Sequence, residues 1–240
     1  MLVAAAVCPC PPLLVPEVAQ GAAPELEPLR AACDEAVRAL AEAKPDLVVV
    51  VGPGERDAVH EAGATGSFRG HGVPLDVTLG EPDPRGGGAH TSLPLSLAVG
   101  AWLLARSPWG GPVRAFEAAT TGDSATRRAH GAEVAGWADR VALLVMGDGS
   151  ARRDLKAPGY LDERAAPLDA RISAALASGD REGFLAGLDE ETARDLMVSG
   201  RPAWQVLTGA NASTGDGPVR HRLLHDDAPY GVGYFVASWT

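Results

Sequence analysis

Cysteine is scarce in this sequence: Cys8, Cys10 and Cys33 are the only three in 240 residues. A small odd number cannot build a disulfide framework. No basic stretch followed by an apolar segment and a cleavage site opens the chain, so the expected location is the reducing cytoplasm. Long hydrophobic runs are missing as well. The longest, residues 47–51 and 141–146, fall far short of the ~20 residues that span a bilayer, and no membrane segment is expected. Lysine is nearly absent, with Lys44 and Lys156 alone, and 21 basic against 31 acidic residues give a net charge of -10. A surface that tracks phosphates needs clustered cations, so nucleic acid is excluded as a partner.

What the chain does have is apolar content. With 46% hydrophobic residues over 240 positions it can bury a substantial core, and its length fits one domain over residues 1–240. Residues 2–7 form an apolar run ended by Cys8-Pro9-Cys10-Pro11-Pro12, where proline stops the ladder of a buried strand. Over residues 25–43, Leu26, Leu29, Cys33, Val37 and Leu40 recur at helical spacing between Pro24 and Pro45. Residues 47–51 are a second buried strand, closed by Gly52-Pro53-Gly54, so the opening reads as a right-handed βαβ unit.

The alternation continues with helices over 93–106 and 124–137 and strands over 113–119 and 141–146. Residues 80–88, rich in proline and glycine, read as a loop. Three helices follow, over 167–177, over 181–188 behind Asp180 and over 190–199 behind Asp189. Residues 219–224 and 232–239 then pair as a hairpin around Asp226-Asp227-Ala228-Pro229-Tyr230-Gly231. The expected fold is α/β: a mostly parallel central sheet flanked by helices, with a C-terminal antiparallel hairpin.

Ligands of open α/β sheets bind outside the carboxyl ends of the strands. Here that selects the turns at 8–12, 52–57 and 147–153, with Pro11, Pro12, Gly52, Gly54, Gly149 and Ala151 as pocket residues. Asp148 can bind a metal, orient a base or cap the next segment. Ser150 is a candidate nucleophile, although the Gly-x-Ser-x-Gly elbow is absent. Asp57 stands where a dinucleotide loop would carry its third glycine, which argues against such a loop. Cys8 and Cys10 share a face of an extended segment, and a thiolate is a competent metal ligand, but a metal site needs about three ligands.

Among the histidines, His90 follows the glycine loop directly and can swing over the pocket as an acid or base. His60, His71 and His130 lie in polar contexts and read as surface residues. His221 and His225 are about 13 Å apart on an extended strand, too far to share an ion, and read as exposed.

Three segments together resemble the class III extradiol ring-cleavage dioxygenases, specifically the members similar to the catalytic B subunit. They are residues 10–17 (Cys-Pro-Pro-Leu-Leu-Val-Pro-Glu), Gly147-Asp148-Gly149-Ser150 with Ala157-Pro158-Gly159-Tyr160, and residues 229–237 (Pro-Tyr-Gly-Val-Gly-Tyr-Phe-Val-Ala). The resemblance spans nearly the whole chain, brings Tyr160 to the pocket, and implies a central sheet with helices and one non-haem Fe(II). That iron would be held by histidines and an acidic residue, with open positions for a catechol and oxygen.

This sequence departs from the pattern at the ligands. Cys10 stands where the first metal histidine precedes the Pro-Pro pair, Gly52-Pro53-Gly54 carries no second histidine, and Ala151 occupies a further histidine position. No acidic counterpart is evident near 200–204. His90 matches loosely the acid/base histidine of active relatives. The superfamily includes the Memo signalling proteins, which resemble the dioxygenases in fold and serve a different role.

The expectation is therefore a divergent or non-catalytic member that binds a small molecule or a protein partner in the old pocket. The alternative is a working metal-dependent oxidoreductase with a site rebuilt on Cys10 and Cys8, with Asp148 and His90 beside the metal. The cofactor stays open, Fe(II) being what the resemblance implies, and so does a homo-oligomer.

Overall fold

A computed structural model describes residues 1–81, 92–215 and 217–240. In chain order the elements are β1 (Leu2–Cys8), α1 (Pro16–Ala19), α2 (Glu27–Glu42), β2 (Leu47–Gly54), β3 (Ala58–Glu61), β4 (Thr65–Ser67), β5 (Asp76–Thr78), α3 (Leu95–Ala105), β6 (Val113–Ala119), α4 (Ser124–Ala135) and β7 (Val141–Met146). They continue as α5 (Ala165–Ser178), α6 (Phe184–Gly187), α7 (Glu190–Asp195), α8 (Arg201–Ala212), β8 (His221–Asp227) and β9 (Tyr234–Trp239).

Seven strands form one sheet in the order β3-β6-β2-β7-β1-β9-β8. The four inner strands β6, β2, β7 and β1 run parallel, while β3, β9 and β8 are added antiparallel. The α/β expectation, with its C-terminal antiparallel pair, holds. β1 and β2 flank α2 as the sequence indicates, but they do not pair with each other, because β7 lies between them and bonds to both.

Side chains alternate across the inner strands and build two cores. On one face Ala4, Ala6 and Cys8 of β1 and Val48 and Val50 of β2 pack with Leu29, Cys33 and Val37 of α2 and Leu97 and Ala101 of α3. On the other face Ala5, Val7, Val49 and Val51 meet Ile172 of α5 and Trp204 and Leu207 of α8. Strands buried on both faces read as continuous apolar runs, which is why 47–51 and 141–146 were visible in the sequence.

The helix α8 was not anticipated. Arg201 through Ala210 are all buried, and its polar stripe, Arg201, Gln205 and Thr208, faces protein: Arg201 and Gln205 both donate to the Leu188 carbonyl. It lies against α4 with Gly131 facing the Val206 carbonyl and Gly209 facing the Arg128 backbone, an approach that leaves no room for a Cβ on either glycine.

The neighbouring expectations need adjustment. The helix expected over 181–188 contracts to α6, because Gly183 is left-handed and Asp180 turns its carboxylate onto the Leu185 and Ala186 N–H groups. α7 starts as expected, with Asp189 accepting from the Thr192 N–H at 2.8 Å, but ends at Asp195. Asp226 and Asp227, assigned to the hairpin turn, are paired residues of β8 opposite Phe235 and Tyr234. Among the described residues no helix is long and apolar enough to cross a membrane.

Candidate functional site at the carboxyl ends of β1 and β7

β1 and β7 are parallel neighbours with Cys8 opposite Met146, so both chains leave the sheet at the same end. β9 runs the other way and begins there with Tyr234. Alternation puts Cys8, Met146 and Tyr234 on the face covered by α2 and α3. Three elements therefore deliver Cys10, Asp148 and Tyr234 to one place.

The turns are joined by hydrogen bonds. The Gly147 N–H donates to the Cys8 carbonyl at 3.0 Å, and the Cys10 N–H donates to Asp148 Oδ1 at 2.8 Å. The Asp148 backbone is clamped to the start of α8: its N–H donates to Ser199 Oγ at 3.0 Å and its carbonyl accepts from the Gly200 N–H at 2.9 Å. Gly149 donates to the Gly233 carbonyl at 2.7 Å, and Gly233 donates to the Ser150 carbonyl at 2.9 Å. Beneath them Asp169 accepts from the Ser150 N–H and from Arg153, both at 2.9 Å. The turn after β7 is thus held on three sides.

Asp148 keeps part of its surface open while protein atoms crowd the rest of the carboxyl. Burial pushes its pKa up to about 6, against the Cys10 N–H, which favours the carboxylate. The Cys10 thiol is held well above its ordinary range, first by burial and then by the negative charge of Asp148. Burial likewise raises the Tyr234 phenol, with Asp148, Cys10 and Tyr230 adding in that order. Tyr234 is only 3% exposed, and its hydroxyl has no hydrogen-bond partner among the described residues. The ring is buried but the hydroxyl keeps contact with solvent, so it is open to water or a ligand.

The other sequence candidates divide. Pro11 is buried and Pro12 half-buried, and they open the 3-10 turn Pro12–Leu14 beside Cys10. Gly149 is there for packing: a Cβ would strike Phe235 and Asp169. Ala151 is buried and accepts from the Gly159 N–H. Gly52 lies under Ser96 and Leu97 of α3, and Gly54 under the Glu117 side chain, so neither presents bare backbone to the Asp148 site.

Several candidates leave the site. Ser150 is fully buried and donates its hydroxyl to the Leu196 carbonyl at 2.6 Å, so it ties the turn after β7 to the end of α7. Tyr160 is 74% exposed, with a left-handed φ of 59°. Cys8 turns into the core beside Cys33 and not toward Cys10's neighbour Asp148. His90 lies outside the described residues.

The surface expectation fails for His60. It is 2% exposed and bonds through Nε2 to Glu117 Oε2 at 3.1 Å, while Glu117 Oε1 takes the Glu55 and Arg56 N–H groups. The pair shares the sheet face of Asp148, but the first turn of α3 stands over the intervening β2. His221 is also less exposed than expected, its ring set edge-on to Trp239 at 5.1 Å. Of the rest, His71 is exposed, His130 packs on Phe116 and His225 is half-buried.

Tyr234 is the residue sequence reasoning missed. Its signal was available as an aromatic heading the last strand between Gly233 and Phe235, but only the antiparallel pairing of β9 with β1 brings it to the carboxyl end.

The donor set does not fit the iron centre that the resemblance implies. No group of three His, Cys, Asp or Glu side chains that could hold a metal ion exists among the described residues. Cys10 and Asp148 make two, and the raised thiol works against the thiolate that a metal requires. A pocket of about 690 Å³ lies at the other end of the sheet between Leu104, Trp109 and Val113.

No protein-family model matches the chain, and no curated protein matches it. The crystal structure of the uncharacterized protein JW3007 from Escherichia coli K12 superposes with a TM-score of 0.52 at 11% identity, covering 99% of both chains. At that identity the likeness is one of fold along the full length.

Proposed function

We propose that the chain is a divergent relative of the extradiol dioxygenases that binds a small organic molecule at Asp148, Tyr234 and Cys10, without the iron chemistry of that family. The observation that carries this reading is the nearness of a carboxyl whose pKa is about 6 to a phenol whose ring is buried and whose hydroxyl is left open by the protein. Such a pair can accept a hydrogen bond from a hydroxyl or amine of the ligand at Asp148 and donate one from Tyr234. Asp148 can exchange its proton near neutrality, which suits a binding site and also a general acid or base.

A second reading, a metal centre rebuilt on Cys10, is favoured by the closeness of Cys10 to Asp148. It requires loss of the Cys10 proton and donors beyond these two.

The test is anaerobic loading with Fe(II), followed by elemental analysis and exposure to catechol and oxygen. We expect no stoichiometric iron and no ring-opened product. Catechol should still bind in calorimetry, weakened by Tyr234→Phe and by Asp148→Asn. Tightly held iron with ring-opened product overturns the proposal, and metal that is lost in Cys10→Ala establishes the second reading.

A further inference from the structure

The loop that follows the Asp148 turn carries an unusual outer surface. Leu155, Tyr160 and Leu161 expose 71%, 74% and 48% of their surface, and Met197, in the turn after α7, exposes 43%. Leu155 stands in the same loop, and the other three gather around Gly159. Gly159 is pressed between the Met197 sulfur and the Arg152 side chain, 2.5 Å and 2.6 Å from where a Cβ would stand, and Tyr160 and Leu161 follow it directly. At up to roughly 200 Å² per large side chain, the four offer on the order of 400–500 Å² of apolar surface, the size of the largest patch on a monomer, which is often functional.

The backbone gives a second, independent sign. Tyr160 and Met197 both have left-handed φ, 59° and 53°, and are two of only five such non-glycine residues among those described. Glycine would adopt this conformation without cost, yet both positions carry large apolar side chains held outward. At Met197 this conformation closes α7, with the Val198 N–H on the Ala193 carbonyl and the Met197 N–H on the Arg194 carbonyl, so Tyr160 alone holds a large ring outward in a turn that glycine would form more easily.

We infer that this surface is an interface between two copies of the chain. Its rim is a mixed ionic cluster: Arg164 bonds to Asp162 at 2.9 Å and approaches Asp195 at 3.8 Å, and Arg152 approaches Asp162 at 3.7 Å. Two arginines and two aspartates make the patch locally neutral on a molecule of net charge -10. A highly charged partner finds no complementary field there. A second copy related by a two-fold axis brings the same mixed set, which is self-complementary. The area also agrees. A typical interface takes about 800 Å² from each partner, a little over half of it apolar, so it needs about 450 Å² of apolar surface with a polar rim around it.

The interface bears on the ligand site through the chain. The Arg153 N–H donates to the Gly231 carbonyl at 3.0 Å, and Gly231 is packed against Ala157. Pairing of two copies would therefore brace the loop that borders Tyr234.

Sedimentation of the full chain over concentrations up to about 200 µM tests the inference. We expect a reversible dimer that tightens between about 0.15 M and about 0.5 M NaCl, as the repulsion of two acidic molecules is screened. Leu155→Glu should weaken it by at least about tenfold. Tyr160→Gly removes the ring and relieves the left-handed strain, so it should weaken the dimer while raising the melting temperature. Should Tyr160→Gly lose stability instead, Leu155→Glu at its exposed position decides alone. A wild type that stays monomeric throughout, or a dimer that Leu155→Glu leaves unchanged, overturns the inference.

Discussion

The Asp148 carboxylate accepts the Cys10 backbone N–H at 2.8 Å, which joins the end of β1 to the end of β7 by one charge-assisted bond in a poorly solvated place. A carboxyl with a pKa of about 6 in the fold and about 3.9 in the unfolded chain binds its proton more tightly when folded. Its stabilisation is complete below about pH 4 and is lost as the pH rises through about 6. A shift of about two units corresponds to roughly 2–3 kcal/mol.

Asp148→Asn keeps an oxygen for the Cys10 N–H and removes the titration. Urea unfolding of both proteins between about pH 4 and pH 8 should show the wild type gaining about 2–3 kcal/mol on the variant as the pH falls. Because Asp169 and Asp180 are also raised by burial, the difference between the two proteins, and not either curve alone, isolates Asp148. A difference that stays constant across this range contradicts the assignment.

Ser150 donates to the Leu196 carbonyl at 2.6 Å and accepts from the Arg152 N–H at 3.2 Å. Removing the hydroxyl leaves a buried carbonyl and a buried N–H without it. Ser150→Ala should cost about 1–3 kcal/mol in chemical unfolding. A serine-directed fluorophosphonate should leave Ser150 unmodified by mass spectrometry, whereas labelling at Ser150 would return it to the list of nucleophiles.

The sequence showed β1 and β7 as unbroken apolar runs and β2 by its run over 47–51, although β2 continues through Gly54; β6 is interrupted by Arg114 and Glu117 and was legible from the alternation around it. It hid α8 because the helix is buried all round and its short polar stripe, Arg201, Gln205 and Thr208, is turned onto protein. Pro202 occupies the first turn, where its missing N–H costs nothing. Cys10 and Asp148 were legible as residues of the turns that follow two parallel strands. Tyr234 and the His60–Glu117 pair were not, since each depends on an antiparallel strand finding its neighbour, and Glu117 lies 57 residues from His60.

Thiol chemistry follows from the burial of all three cysteines. Cys8 and Cys33 face each other inside the core, and the Cys33 thiol is raised by burial and then by Cys8. Thiolate is the reactive form, so iodoacetamide at about pH 7.5 should modify none of the three appreciably in the native protein and all three after denaturation. Cys10, at 8% exposure, should be the first to react as the pH is raised. Rapid native labelling of Cys10 would mean that its proton is lost near neutrality, the condition that a metal centre there requires.

The crossing of α4 and α8 offers the sharpest packing test. Gly131 sits against the Val206 carbonyl and the Ala210 N, and Gly209 against the Arg128 backbone, so a methyl group on either glycine meets main chain and not a side chain that can rotate away. The helices must separate to admit it. Alanine has the higher helix propensity by about 1 kcal/mol, so an exposed glycine in either helix would be improved by the same change. Here overpacking outweighs propensity, and Gly131→Ala should lose about 1–3 kcal/mol in urea unfolding, with Gly209→Ala similar. α8 also holds Asp148 through the Gly200 N–H, so a shift of this helix reaches the site. Gly131→Ala should therefore weaken catechol binding as well as stability, whereas Gly136→Ala, at the end of α4 where only the Glu133 and Ala132 carbonyls are near, should change neither by much. Equal stability of the Gly131→Ala and wild-type proteins would show that the two helices are farther apart than described.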